Sequence, residues 1–169
     1  MQQKLPIGIS SFKRLREEGC VYVDKTKFAF ELIDSGHRLF FLSRPRRFGK
    51  SLFFSMLKEV LSGNKSIFNN LWIAKSSYLW KAHGVITLDL SSLATTSSQA
   101  FQNDLCSLLK TNARDLGITI LTTQNYPEPI LRELVRSIHA KFGAVAILVD
   151  EYDFPILHTL HKSSLVVEM

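Results

Sequence analysis

An α/β fold, with a mainly parallel sheet and helices on both of its faces, is what this sequence predicts, and three observations carry the prediction. Three short apolar runs, Leu39-Phe40-Phe41-Leu42, Val85-Ile86-Thr87-Leu88-Asp89-Leu90 and Val145-Ala146-Ile147-Leu148-Val149, have the length and composition of buried parallel strands. Segments with the 3.6-residue period of amphipathic helices separate them. Two sharply charged clusters, residues 44–51 and 150–153, follow the first and third runs directly, at the sheet edge where ligands of such folds gather.

The elements follow in order. Ser10 or Ser11 can cap a first helix carrying Phe12 and Leu15 at i and i+3, with Gly19 as its left-handed stop. Cys20-Val21-Tyr22-Val23 reads as a brief strand. Asp24 is then placed to accept hydrogen bonds from the first turn of a helix running through Phe28, Phe30, Leu32 and Ile33 to Gly36. Beyond the run at 39–42 and the basic loop, Leu52, Phe53, Met56, Leu57, Val60 and Leu61 recur at helical spacing until Gly63. Residues 64–84 read as connection with one short helical turn. Ser91, Ser92, Thr95, Thr96, Ser97 and Ser98 are capping material for a helix with Phe101, Leu105, Leu108, Leu109 and Leu116 on one face and Gly117 as its stop. The next helix opens on Pro127 and Pro129, whose missing N–H groups would be unpaired in a first turn anyway. It carries Leu131, Leu134, Val135, Ile138 and Phe142 before Gly143.

At 169 residues, 46% apolar and 21% charged, the chain has the size and composition of one globular domain, expected over 1–157 with a tail at 158–169, and not of a disordered or fibrous protein. No run approaches the ~18 apolar residues of a membrane span, and Met1 to Pro6 lack the apolar run of a signal peptide, so a cytoplasmic protein with no membrane partner is expected. Cys20 and Cys106 form neither a CxxC pair nor a metal spacing and are expected to be reduced, half-buried or core thiols. The net charge of +6 is unevenly spread: residues 1–84 hold 15 Lys/Arg against 6 Asp/Glu, a net of +9, and residues 85–169 hold 6 against 9, a net of −3. The first half therefore favours an anionic partner, nucleotide phosphate or nucleic acid. Its centre is Arg44-Pro45-Arg46-Arg47-Phe48-Gly49-Lys50, with four cations in seven residues.

A phosphate-binding loop of the form G-x-x-x-x-G-K-[ST] lies between a strand and a helix, because its amides must surround phosphate oxygens while the helix N-terminus adds partial positive charge. Gly49-Lys50-Ser51 sits in that context. Lys50 would hold the β- and γ-phosphates, Ser51 would place its hydroxyl on Mg²⁺, and Gly49 would let the backbone approach. Arg44 stands where the first glycine belongs, and Pro45 removes an N–H. A bare G-K-[ST] is expected by chance in roughly one chain in ten of this length, so a second signal has to decide. That signal is the apolar strand ending in Asp150-Glu151. The first carboxylate can orient magnesium through water, and the second can act as base toward an attacking water. The same pair could simply cap a strand end; its coincidence with Gly49-Lys50-Ser51 at one sheet edge favours the nucleotide site.

Taken together, Leu5-Pro6-Ile7-Gly8-Ile9 with Phe12 and Leu15-Arg16, Tyr22-Val23-Asp24-Lys25-Thr26, Arg44 to Leu52, Leu71 to Ile73, and Val149-Asp150-Glu151-Tyr152-Asp153 give a sequence that resembles the AAA-ATPase-like family, whose full-length members usually continue into a restriction-endonuclease-like nuclease domain. R-P-R-R-F-G-K-S is that family's own version of the loop. The resemblance implies a three-layer P-loop NTPase-like fold and ATP binding through Gly49, Lys50 and Ser51, with Arg46, Arg47, Phe48 and Leu52 completing the candidate nucleotide-binding stretch. It also implies magnesium at Ser51 and Asp150, and Lys50 and Glu151 in catalytic roles. Arg44, Arg46 and Arg47 remain open between phosphate, nucleic acid and a solvated turn. Phe48 is expected to pack under the loop; Tyr22-Val23-Asp24-Lys25-Thr26 precedes the loop, where related ATPases gather residues around the adenine, but Asp24 reads first as a helix cap, and Asp89, which could face the site, as a strand-end cap. The five histidines show no ligand spacing with one another.

The rival functions are a nucleic-acid-binding module, which leaves Asp150 and Glu151 unexplained, and a non-catalytic truncated scaffold. Only Leu165-Val166-Val167 offers a further short strand after Asp153, so the chain reads as the N-terminal portion of such an ATPase. As given, it is expected to turn ATP over poorly. An open sheet edge is expected to favour self-association into a homo-oligomer.

Overall fold

The computed structural model describes residues 4–43, 48–94 and 96–159. The chain divides into two compact units, Met1–Ala82 and His83–Met169.

The N-terminal unit is helical. It contains α1 (Phe12–Glu17), α2 (Thr26–Asp34) and α3 (Lys50–Leu61), followed by short 3₁₀ turns at Lys65–Phe68 and Trp72–Lys75. Ser11 caps α1 by accepting a hydrogen bond from the Arg14 N–H at 3.3 Å. Met56 and Val60, one turn apart on α3, are fully buried together with Phe12, Leu15, Phe68 and Ile73. Phe12 stacks on Phe68 at 4.9 Å and meets the edge of Tyr22 at 5.1 Å. Its N–H donates to Ser55 Oγ at 2.9 Å, which ties the start of α1 to α3. Arg16 donates to the carbonyls of Ile67 and Asn69 at 2.9 and 2.7 Å and so holds the first 3₁₀ turn.

The C-terminal unit is α/β. Strand β1 (Gly84–Asp89), α4 (Ser98–Asp115), α5 (Pro127–Phe142), β2 (Val145–Asp150) and α6 (Phe154–Thr159) follow in order. The strands pair in parallel, with Gly84 opposite Val145 and Asp89 opposite Asp150. Ser97 caps α4 by accepting from the Ala100 N–H at 3.1 Å, and Gly143, with φ 76°, closes α5. Ile86 is buried in one cluster with Cys106, Leu109 and Ala113 of α4 and Ile130, Leu134 and Ile138 of α5. Each of the large side chains there contributes roughly 1.5–3 kcal/mol by leaving water. At Gly84 a Cβ would lie 2.1 Å from Ile138 Cγ2, so the absence of a side chain lets α5 pass close over the strand.

Two expectations are corrected. No strand is assigned at 39–43, where Leu39 and Phe41 are 91% and 70% exposed, and at 20–23 there is only a bridge between Lys4 and Cys20. A strand exists through ladder bonds to a partner, and an apolar run of four residues specifies no partner. Among the described residues the sheet has two strands rather than three, and α4 and α5 pack on the face that carries Ile86 and Leu88. Ile147 and Val149, opposite Ile86 and Leu88 and therefore on the same face, remain 46% and 36% exposed. Leu165-Val166-Val167 lies outside the described residues. No described helix is long and apolar enough to cross a membrane.

Candidate functional site

The basic loop becomes visible at its end, since Arg44, Pro45, Arg46 and Arg47 lie outside the described residues. Gly49 stands at the N-cap of α3 in the left-handed region, φ 75° and ψ 28°, a conformation that costs most other residues about 1–2 kcal/mol. The chain turns there directly into the helix, with Lys50 and Ser51 as its first two positions and Leu52 next. Among the described residues no side chain caps this N-terminus and no acidic residue sits in its first turn, which leaves its amides and partial positive charge open to an anion. Phe48, expected to pack under the loop, is 58% exposed, and the buried positions of α3 begin at Met56.

A residue that sequence reasoning passed over belongs beside this loop. The Lys25 ammonium lies 4.0 Å from the point a Cβ would occupy on Gly49. Lys25 is the N-cap of α2, between two anchored neighbours. One oxygen of Asp24 accepts from the Thr26 N–H and hydroxyl at 2.8 and 2.6 Å, and the other accepts from the Trp72 N–H at 2.7 Å. The fully buried Thr26 hydroxyl in turn accepts from the Ile73 N–H at 3.1 Å. Burial acts to raise the Asp24 pKa, but the bonds from Thr26 and Trp72 outweigh it and hold the carboxyl below its ordinary range. Asp24 is therefore a brace at the start of α2, as its sequence position suggested. Beside it, burial pushes the Tyr22 phenol up to about 12.

In the C-terminal unit, Asp150 ends β2 directly opposite Asp89, which ends β1. Asp89 caps the following turn by accepting from the N–H and hydroxyl of Ser91 at 3.0 and 2.6 Å. Asp150 Oδ1 accepts from the Glu151 N–H at 3.0 Å, and Glu151 itself takes φ 50°. The described residues gather no group of three or more His, Cys, Asp or Glu side chains.

A family model described as "Predicted AAA-ATPase" matches residues 6–169. The chain belongs to this AAA-ATPase-like family. A relative, the "Uncharacterized protein in vnfD 5′ region" of Azotobacter chroococcum mcd 1, is 39% identical over 170 residues, which are 99% of this chain and 32% of that protein. The chain thus spans about a third of the relative's length. No solved structure matches.

Several residues that carry the AAA-ATPase-like resemblance have structural work that the motif alone did not show. Arg16 holds carbonyls of the first 3₁₀ turn, while Asp24 and Thr26 hold the amides that open the second. Between Asp24 and Thr26, Lys25 reaches the start of α3. The residues at that start fit the phosphates of a nucleotide: a left-handed glycine without a Cβ, an uncapped helix N-terminus and a lysine in the first turn.

Proposed function

We propose that this AAA-ATPase-like chain binds ATP with magnesium through its loop at 44–51. The observation that carries the reading is the left-handed Gly49 turning into an uncapped helix whose first residues are Lys50 and Ser51. Phosphate oxygens would take the amides of that turn, and Lys50 would neutralise the β- and γ-phosphates. Arg46 and Arg47 add charge beside them, Ser51 and Asp150 serve the metal, and Glu151 is this chain's candidate base for an attacking water.

Titrating the chain with ATP and with a non-hydrolysable analogue, with and without Mg²⁺, tests the proposal. Saturable binding tightened by Mg²⁺ is expected. Absence of nucleotide binding together with tight, salt-sensitive binding of single- or double-stranded nucleic acid would replace this reading with the nucleic-acid one.

A further inference from the structure

We infer that Lys25 is a second phosphate-binding lysine, contacting the polyphosphate chain from the Gly49 side of the loop. The inference rests on the nucleotide reading and extends it to a residue outside the motif. Its geometric basis is the approach of the Lys25 ammonium to Gly49, 4.0 Å from the position of an added Cβ. That approach is prepared by the backbone on both sides of Lys25. Asp24 is bonded to the Trp72 N–H at 2.7 Å, and the buried Thr26 to the Ile73 N–H at 3.1 Å, so the lysine stem starts from a fixed point.

Electrostatics give the second argument. Among the described residues of this unit the ion pairs are Lys13 with Glu17, Arg14 with Glu18 and Lys27 with Glu31; no carboxylate is paired with Lys25 or Lys50. Neither α2 nor α3 carries an acidic residue in its first turn. The Lys25 ammonium therefore comes up to the glycine that opens a twelve-residue helix whose first residue is Lys50, and among the described residues neither lysine is ion-paired. A multiply charged anion would be held by these positive groups together, and a triphosphate, with Lys50 on one part of its chain and Lys25 on another, has the required charge and extent. Lys25 arrives from α2 and Lys50 from α3, so ligand binding would also link the two helices through the phosphates.

The test is calorimetric titration of the whole chain with ATP and with inorganic tripolyphosphate over a series of salt concentrations. Wild type, Lys25→Met, Lys25→Arg and Lys50→Ala are compared, with helix content and thermal midpoint measured for each. Lys25→Met keeps the aliphatic stem and removes the charge. It is expected to weaken both ligands about tenfold and to flatten the salt dependence, while Lys25→Arg keeps most of the affinity. A role confined to folding would move the thermal midpoint and leave the salt slope alone. Lys25→Met with wild-type affinity and slope, beside a Lys50→Ala variant that no longer binds, would overturn the inference and leave the nucleotide reading standing. Tripolyphosphate binding that depends on Lys25, without ATP binding, would support the lysine and overturn the nucleotide reading. Binding of neither ligand by wild type would overturn both.

Discussion

Asn112 stands against the outer edge of β1 and pairs with Thr87 as a neighbouring strand would. Its Oδ1 accepts from the Thr87 N–H at 2.8 Å, and its Nδ2 donates to the Thr87 carbonyl at 3.0 Å and to that of Leu108 at 2.9 Å. Only a carboxamide offers a donor and an acceptor in that spacing. Replacing it leaves Thr87 without either partner. Asn112→Ala is expected to cost about 2 kcal/mol in urea unfolding, and Asn112→Asp to lose stability as well because it has no N–H for the carbonyl. A loss below about 0.5 kcal/mol would mean that water replaces the side chain there.

The brace at Asp24 makes the N-terminal unit sensitive to acid. Burial raises the pKa of this carboxyl, and the bonds from Thr26 and Trp72 lower it further than burial raises it, so the folded pKa lies below the unfolded one. The stability it contributes is thus present above the unfolded carboxylate pKa and is lost as pH falls through the folded value. Asp24→Asn is expected to lower stability at neutral pH by about 1 kcal/mol, discounted because the carboxylate is partly exposed, and to flatten the acid limb of a stability-versus-pH curve. Parallel acid limbs in the mutant and wild type would show that other carboxylates set the response.

If the proposed function holds, Lys50 and Asp150 would answer separately for the charge and the metal requirements of nucleotide binding. Lys50→Ala is expected to reduce ATP affinity by at least about tenfold with an unchanged thermal midpoint, since a lysine at a helix start contributes little to stability. Asp150→Asn should retain most of the affinity measured without metal and lose most of the gain that Mg²⁺ brings. Equal Mg²⁺ gains in wild type and Asp150→Asn would remove Asp150 from the metal site.

Gly84 sets how closely α5 lies over the sheet. Gly84→Ala would bring its Cβ within 2.1 Å of Ile138 Cγ2 and 3.0 Å of Phe142 Cδ2, and Ile138 is fully buried with no room to yield. A destabilisation of about 1–3 kcal/mol is expected. Pairing it with Ile138→Val, which removes a methyl group from the crowded side chain, should recover part of the loss; strictly additive losses would point to a backbone cause.

The helices were legible because period and punctuation agreed. Met56 and Val60 recur with the turn of α3, and Gly117 and Gly143 follow α4 and α5 in left-handed conformations that halt them. Strands at 84–89 and 145–150 were legible because their apolar runs find each other; the run at 39–42 carries the same signal and forms no strand, and no local pattern distinguishes the two situations. The short α6 was missed for want of a repeating face. At the candidate site, Gly49, Lys50 and Ser51 were legible as contiguous letters. Lys25 was not, because its approach to Gly49 depends on the Asp24 and Thr26 bonds to the second 3₁₀ turn, a long-range arrangement that the sequence around Lys25 does not encode.

Glu151 leaves β2 with φ 50°, where glycine or asparagine would rest at lower energy. Holding a glutamate there costs about 1 kcal/mol. A selection for heat resistance alone would therefore drift toward Glu151→Gly or Glu151→Asn, yielding sturdier chains that have discarded the carboxylate. Thermostability screens of this protein need a ligand-binding readout alongside the melting curve, since the variants that melt highest at this position would be those that lack the proposed base.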